Sequence, residues 1–360
     1  MDFPIFNTIQ LASGTKYDLN DPVGRRKYFN AKVGKEIEEI KQYLDSNTFL
    51  GFLLAKKSAG KGTYSKLFEE VIGSERFAHI SVGDVVRNVH KSIEDDSEKE
   101  ELLSYMKKYY RSFTPLEDAF EAFLGRSQDK LIPTEFILTL VKREIEKVGR
   151  KAIFLDGLPR SMDQISYSLY FRNLINFRDD PDFFVLIDIP ESVIDARMKT
   201  RVVCPKCQTS RSPALLPTKF VKYDEGQKEF YLLCDNGGCD GFGETRLVGK
   251  DGDSAGVESI RDRLTTDGDL IKHALGLSGI PLVKLRNSVP VEKAKKNVEE
   301  FELTPGYSYE VNKKNEVEVI EEPWIVKDDK GIDSYSLLAA PVAVGMIRQI
   351  HSILFGKTQD

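Results

Sequence analysis

All four cysteines of this 360-residue chain fall between Cys204 and Cys239, and none occurs elsewhere. That rules against a disulfide scaffold, whose bridges would be spread along the chain. No long apolar run opens the sequence: Phe52–Ala55, preceded by Phe49, Leu50 and Gly51, is far too short to cross a bilayer. Residues 1–20 lack the basic start and apolar block of a secretion signal, so a cytoplasmic location is expected. Basic charge is not in excess, with 52 Lys and Arg against 57 Asp and Glu, which argues against a sequence-independent DNA binder. No internal repeat or low-complexity tract is present. The four histidines, at 79, 90, 273 and 351, are scattered and form no catalytic cluster in sequence.

What is present is an alternation. Phe49–Ala55, Phe77–Val82, Ala152–Asp156 and Phe183–Ile189 read as buried strands. Helical patterns follow them over Lys61–Val71, from Asp84, from Ser161 and over Glu191–Lys199. Apolar strands alternating with amphipathic helices predict an α/β fold: a parallel sheet with helices on both faces, binding ligands beyond the carboxyl ends of its strands. Two stretches interrupt the pattern, a charged helical one over 90–144 and a cysteine-bearing one of short strands over 202–256. A helix is expected from about Gly24 to Leu44, another over Thr134–Val148, and a last one over about Ala340–Phe355. Tyr307–Val311 and Glu316–Ile320 suit a hairpin, and a fifth sheet strand is expected between Phe301 and Val326.

After the first strand comes Ala55-Lys56-Lys57-Ser58-Ala59-Gly60-Lys61-Gly62-Thr63. A strand, a small-residue loop, Gly-Lys and a helix are the parts of a phosphate cradle, in which backbone N–H groups and a lysine hold phosphate oxygens. A basic surface turn is the alternative. The stretch Gly60-Lys61-Gly62-Thr63 resembles the loop end of adenylate kinases and related nucleoside monophosphate kinases, which usually write it Gly-x-Pro-Gly-x-Gly-Lys-Gly-Thr. This chain departs from that form at Ala55, Lys57 and Ser58. If Ala55 or Ser58 takes a positive φ, each costs ~1 kcal/mol relative to glycine.

Further segments carry the same resemblance. Ser81-Val82-Gly83-Asp84-Val85-Val86-Arg87 is similar to the family's Ser-Thr-Gly-Asp-x-x-Arg, with Val82 in place of Thr. Asp156-Gly157-Leu158-Pro159-Arg160-Ser161-Met162-Asp163-Gln164 matches Asp-Gly-Phe-Pro-Arg-x-x-x-Gln, and Leu131-Ile132-Pro133 resembles the approach to it. The resemblance implies that Ser58, Gly60, Lys61, Gly62 and Thr63 bind ATP. It implies that Ser81, Val82, Arg87, Gly157, Arg160 and Gln164 bind the monophosphate, and that Asp156 holds water on Mg²⁺. Taken alone, Arg87 and Asp84 read as a solvated helix arginine and a helix-start residue.

Cys204-x2-Cys207 and Cys234-x4-Cys239, with 26 residues between the pairs, suit a closed four-thiolate zinc site, which is structural because no position is open for water. Four buried free thiols are the alternative. Some bacterial adenylate kinases carry a four-ligand zinc site in the lid over ATP. Here Arg197-Met198-Lys199-Thr200-Arg201-Val202-Val203-Cys204 matches their Arg-x3-Arg-x2-Cys, which implies that Arg197 and Arg201 lie against ATP. Leu247–Asp253 resembles Leu-Val-x-Arg-x-Asp-Asp with Lys250 for Arg, and Glu258–Leu264 matches Glu-x-Ile-x-x-Arg-Leu, making Arg263 a transition-state clamp candidate.

The implied architecture is a P-loop kinase core over 47–89, 145–201 and 257–360, with a monophosphate-binding insertion at 90–144 and a zinc-binding lid at 202–256. Residues 1–46 form an N-terminal helical extension without family counterpart, and 300–338 an unplaced insertion. The implied activity is transfer of the ATP γ-phosphate to AMP with Mg²⁺, by Lys61, Arg160, Arg201 and Arg263 under a closing lid. UMP or CMP remains open as acceptor, and a monomer is expected. A catalytically weak nucleotide sensor is one competing reading. The other is a zinc-ribbon nucleic-acid binder using Lys206, Arg211, Lys219 and Lys222.

Overall fold

The computed structural model describes residues 3–5, 7–8, 14–125, 132–162, 164–167, 171 and 180–356. Leu131 and Asp163 of the motifs above lie outside the described residues. Strands β1 (Leu50–Ala55), β2 (Phe77–Ser81), β3 (Ala152–Asp156) and β4 (Asp182–Asp188) lie within a residue of their expected positions. They form a five-stranded parallel sheet in the order Leu282–Arg286, β4, β1, β3, β2.

The fifth strand is therefore Leu282–Arg286, not a segment between Phe301 and Val326. It pairs with β4 at the sheet edge, Val283 opposite Val185. Only Val283 and Leu285 carry its apolar face into the core, and the intervening Lys284 removes the uniform apolar run that marks a central strand. The expected hairpin is present, with Pro305–Val311 antiparallel to Val317–Pro323. Ser288–Pro290, Asp333–Ser336 and Ile325–Lys327 make a separate three-stranded antiparallel sheet.

Side chains alternate between two cores because strand residues point to opposite faces. Phe49 and Leu53 enter one core with Phe154, Phe183 and Val185; Leu50, Phe52 and Leu54 enter the other with Leu155 and Phe184. Gly51 is required between them, since a Cβ there would lie 2.8 Å from the Phe154 ring. The first core is covered by α1 (Pro22–Leu44), α2 (Lys61–Ile72) and the last helix, Ala339–Leu354; the second by α3 (Val82–Ser92), α4 (Asp96–Tyr109), α5 (Leu116–Phe123), α6 (Thr134–Val148) and the helix Arg261–Leu275. Helix α1 packs on α2 and on the last helix. No helix among the described residues is long and apolar enough to cross a membrane.

Candidate active site

The loop between β1 and α2 holds the candidate phosphate-binding residues together. Ser58 has φ 66° and Gly60 φ 87°, so one of the two family departures suspected of strain does take the left-handed conformation. Gly60 caps α2 without a side chain, leaving the first backbone N–H groups of that helix for an anion. Lys61 Nζ donates to Ala55 O at 3.2 Å and lies 3.7 Å from Asp156 Oδ1. Two ties hold the loop from outside. The Lys57 N–H donates to Asp267 Oδ2 at 2.8 Å, and Lys56 is paired with Glu191 (3.0 Å) and Asp329 (2.9 Å). Burial alone would lower the Lys56 ammonium, but those two carboxylates outweigh it and hold it above its ordinary value.

At the neighbouring strand ends, two arginines converge. A Cβ on Gly83 would meet Arg160 Nη2 at 3.4 Å and Arg87 Nη1 at 3.4 Å. Gly157 (φ 92°) lies under the Arg160 guanidinium, where a Cβ would be 2.8 Å from Nη2. The position a Cβ would take on Gly157 is thus occupied by the Arg160 guanidinium. Burial, then the nearby Arg263, push Arg160 below the usual guanidinium range, with Asp156 and Asp267 opposing. Arg87 pairs with Asp84, and Arg263 with Asp267 at 2.8 Å.

Three expected site residues have structural partners. Ser81 Oγ caps α3 by accepting the Asp84 N–H at 3.3 Å, so the helix starts at Val82 rather than Asp84. Val82 is 3% exposed and packs in the second core. Gln164 accepts the Arg160 N–H through Oε1 at 2.8 Å and donates through Nε2 to Thr134 at 3.2 Å.

A cavity of about 460 Å³ opens beside Ser58–Gly60 and Thr63. Arg197 and Arg201 line it from one side, and Leu337–Ala340, the turn entering the last helix, from another. Burial lowers the Arg197 guanidinium, and Arg201 pairs with Asp253. Below lies a buried polar net: Asn287 Nδ2 donates to Tyr64 Oη (3.2 Å) and Leu337 O (2.8 Å), while its Oδ1 accepts from Ser336 (2.8 Å). The sequence reading missed Tyr64, Asn287 and the 337–340 turn. The available signal was position, immediately before the final helix.

The cysteines meet at one point, all four sulfurs lying within 4.8 Å of one another. Cys204 and Cys239 Sγ are 3.9 Å apart, Cys207 and Cys234 Sγ 3.7 Å. Four sulfurs at ~2.3 Å from one zinc sit about 3.8 Å from each other, so the donor set fits a tetrahedral ion. The Cys207 thiol is lowered to about 6, chiefly by hydrogen bonding to Thr209, whereas burial raises Cys234 to about 12.

No family model matches the chain. An adenylate kinase of Thermotoga neapolitana is 31% identical over 211 residues, covering 58% of this chain and 76% of that protein. The chain belongs to the adenylate kinase family. It is accordingly a phosphotransferase. An adenylate kinase of Mesoplasma florum is 29% identical over 59% of this chain and 78% of its own length; one of Clostridium novyi is 34% identical over 46% and 65%. In this kinase-family chain Arg87 and Arg160 follow the carboxyl ends of β2 and β3, whereas the cavity adjoins the loop after β1.

Proposed function

We propose that the protein transfers the γ-phosphoryl group of Mg-ATP to a nucleoside monophosphate, with AMP as the preferred acceptor. The observation that carries this reading is the convergence of Arg87 and Arg160 over Gly83, beside the Lys61–Asp156 contact. A pair of guanidinium forks at one point suits a phosphate monoester dianion. The acceptor phosphate would rest on Arg87 and Arg160, the donor phosphates on the Gly60–Thr63 backbone and Lys61, and the donor base in the cavity bounded by Arg197 and Leu337–Ala340.

Phosphoryl transfer asks for positioning and charge more than for covalent chemistry. Lys61, Arg160, Arg201 and Arg263 would stabilise the equatorial oxygens as charge spreads over the transferring group. Mg²⁺ held through water by Asp156 would supply additional neutralisation of the donor phosphates. The cysteine-bearing segment would act as a lid whose zinc, on Cys204, Cys207, Cys234 and Cys239, fixes its shape and takes no part in chemistry. The Gln164 amide, engaged with Arg160 and Thr134, would sense the acceptor base by exchanging one of these bonds. Steady-state rates with Mg-ATP and each of AMP, UMP, CMP and GMP test the assignment: AMP is expected to give the highest kcat/KM, and a pyrimidine acceptor outranking it would overturn the preference.

A further inference from the structure

Residues before the first strand reach the donor cavity. Leu19, Asn20 and Arg25 line it together with Ser58–Gly60. Leu19 is 6% exposed and belongs to the core on the α1 side of the sheet. Its backbone is held from several directions. Asp18 Oδ1 accepts the N–H groups of Asn20 (2.9 Å) and Asp21 (3.2 Å), and Asp21 in turn caps α1 through the Gly24 N–H at 2.7 Å. Gly24 is tucked so close that a Cβ would lie 2.4 Å from Asp18 O. Tyr17 packs edge-on against Tyr28 (5.9 Å) and Phe301 (6.0 Å). Tyr28 Oη donates to buried Glu302 at 2.6 Å, and Lys32 pairs with the same carboxylate at 3.2 Å.

Arg25 completes the arrangement. Its Nη1 donates to Leu19 O (3.1 Å) and Asn20 O (3.3 Å), while Nε and Nη2 grip Glu70 at 3.0 and 2.8 Å. Glu70 lies on α2, the helix that begins inside the phosphate loop. One guanidinium thus fixes the 19–20 turn relative to the donor phosphates. A turn braced in this way cannot drift as a surface loop does, because each bond would have to break together with the aromatic packing.

We infer that residues 17–25 are a fixed wall of the donor-nucleotide cavity, that Leu19 sets how tightly the donor's base and ribose are gripped, and that Arg25 is its positioning residue. The inference rests on the reading of this cavity as the ATP site. It gives a segment with no family counterpart a role in selecting the nucleoside triphosphate, separate from the acceptor site.

The test is a comparison of Leu19→Ala, Arg25→Ala and Arg25→Lys in the full-length protein. The alanine variants are expected to raise KM for ATP by about fivefold or more, while KM for AMP moves less than about twofold. Arg25→Lys, which keeps the charge but not the fork, should fall between wild type and Arg25→Ala. A purely structural role would lower active-enzyme yield without separating the two KM values. Hydrogen exchange on the wild-type protein supplies a second readout: the β,γ-imido analogue of ATP should slow exchange of the backbone amides of residues 18–25. Unchanged ATP KM in folded variants overturns the inference, as does unchanged exchange in that segment if the variants do not fold. A wild-type protein without phosphotransfer would instead sink the kinase assignment, so the two failures are distinguishable.

Discussion

The carboxylate of Asp267 holds Arg263 through Oδ1 at 2.8 Å and, through Oδ2, accepts the backbone N–H of Lys57 at 2.8 Å. One side chain therefore joins the candidate transition-state arginine to the phosphate loop. Burial raises the Asp267 carboxyl above its usual range, while Arg263 and Lys61 pull it back. Replacing it by Asp267→Asn keeps the shape and removes the charge that orients the guanidinium. We expect kcat to fall by about tenfold or more, with KM for ATP changed far less, as for a contact that matters mostly in the transition state. Equal losses in binding and turnover would show that the tie serves the loop alone.

Ser58 occupies the left-handed region at φ 66°, where a Cβ is penalised and glycine is not. Ser58→Gly relieves that strain but gives the unfolded chain more freedom. Strain is the larger effect, so unfolding in urea should show a gain of about 0.5–1 kcal/mol. A loss of stability would mean that the serine side chain makes up for its backbone.

Glu191 pairs with both Lys56 and Arg261. Burial works to raise its carboxyl, yet the two cations outweigh burial and hold it below the ordinary glutamate value. A depressed folded pKa contributes stability in full above the unfolded value and loses it as pH falls through the folded one. Because a third of the side chain is exposed, the contribution is about 1 kcal/mol or less. Glu191→Gln should be less stable than wild type at neutral pH, and the gap should close on acidification. A gap that widens in acid would contradict the sign.

The cysteine cluster predicts zinc in the purified protein at about one ion per chain, lost in Cys204→Ser with Cys207→Ser. Metal removal by a chelator should expose the 202–256 segment to protease before the sheet unfolds, since its own apolar cluster is small, with Leu232 and Leu247 beside three of the cysteines. Elemental analysis together with limited proteolysis checks both statements. A metal-free, protease-resistant segment would leave four thiols packed for structure alone.

Much of the fold was legible because its strands are buried on both faces and so read as continuous apolar runs, as in Phe183–Ile187. The edge strand Leu282–Arg286 was not, since Lys284 and Arg286 break the run. The stretches around Lys61, Arg87 and Arg160 were recognisable too, because each lies a few residues past a strand end. Long-range ties were not: nothing local marks Lys57 as the partner of Asp267, or Leu19 as a neighbour of Ser58. Val82 shows the reverse case, a position chosen by motif whose side chain the core claims. The 337–340 turn escaped notice because apolar residues before a helix look the same whether they pack on protein or face a cavity.

The central claim is that Lys61 and the converging arginines move a phosphoryl group from ATP to a monophosphate. Chromatography of the products from Mg-ATP and AMP, for wild type and Lys61→Ala, tests it most directly. The account predicts stoichiometric ADP from the wild type and a loss of rate of about a hundredfold or more in the variant. Nucleotide binding without diphosphate product in the wild type, or undiminished product in Lys61→Ala, would contradict it.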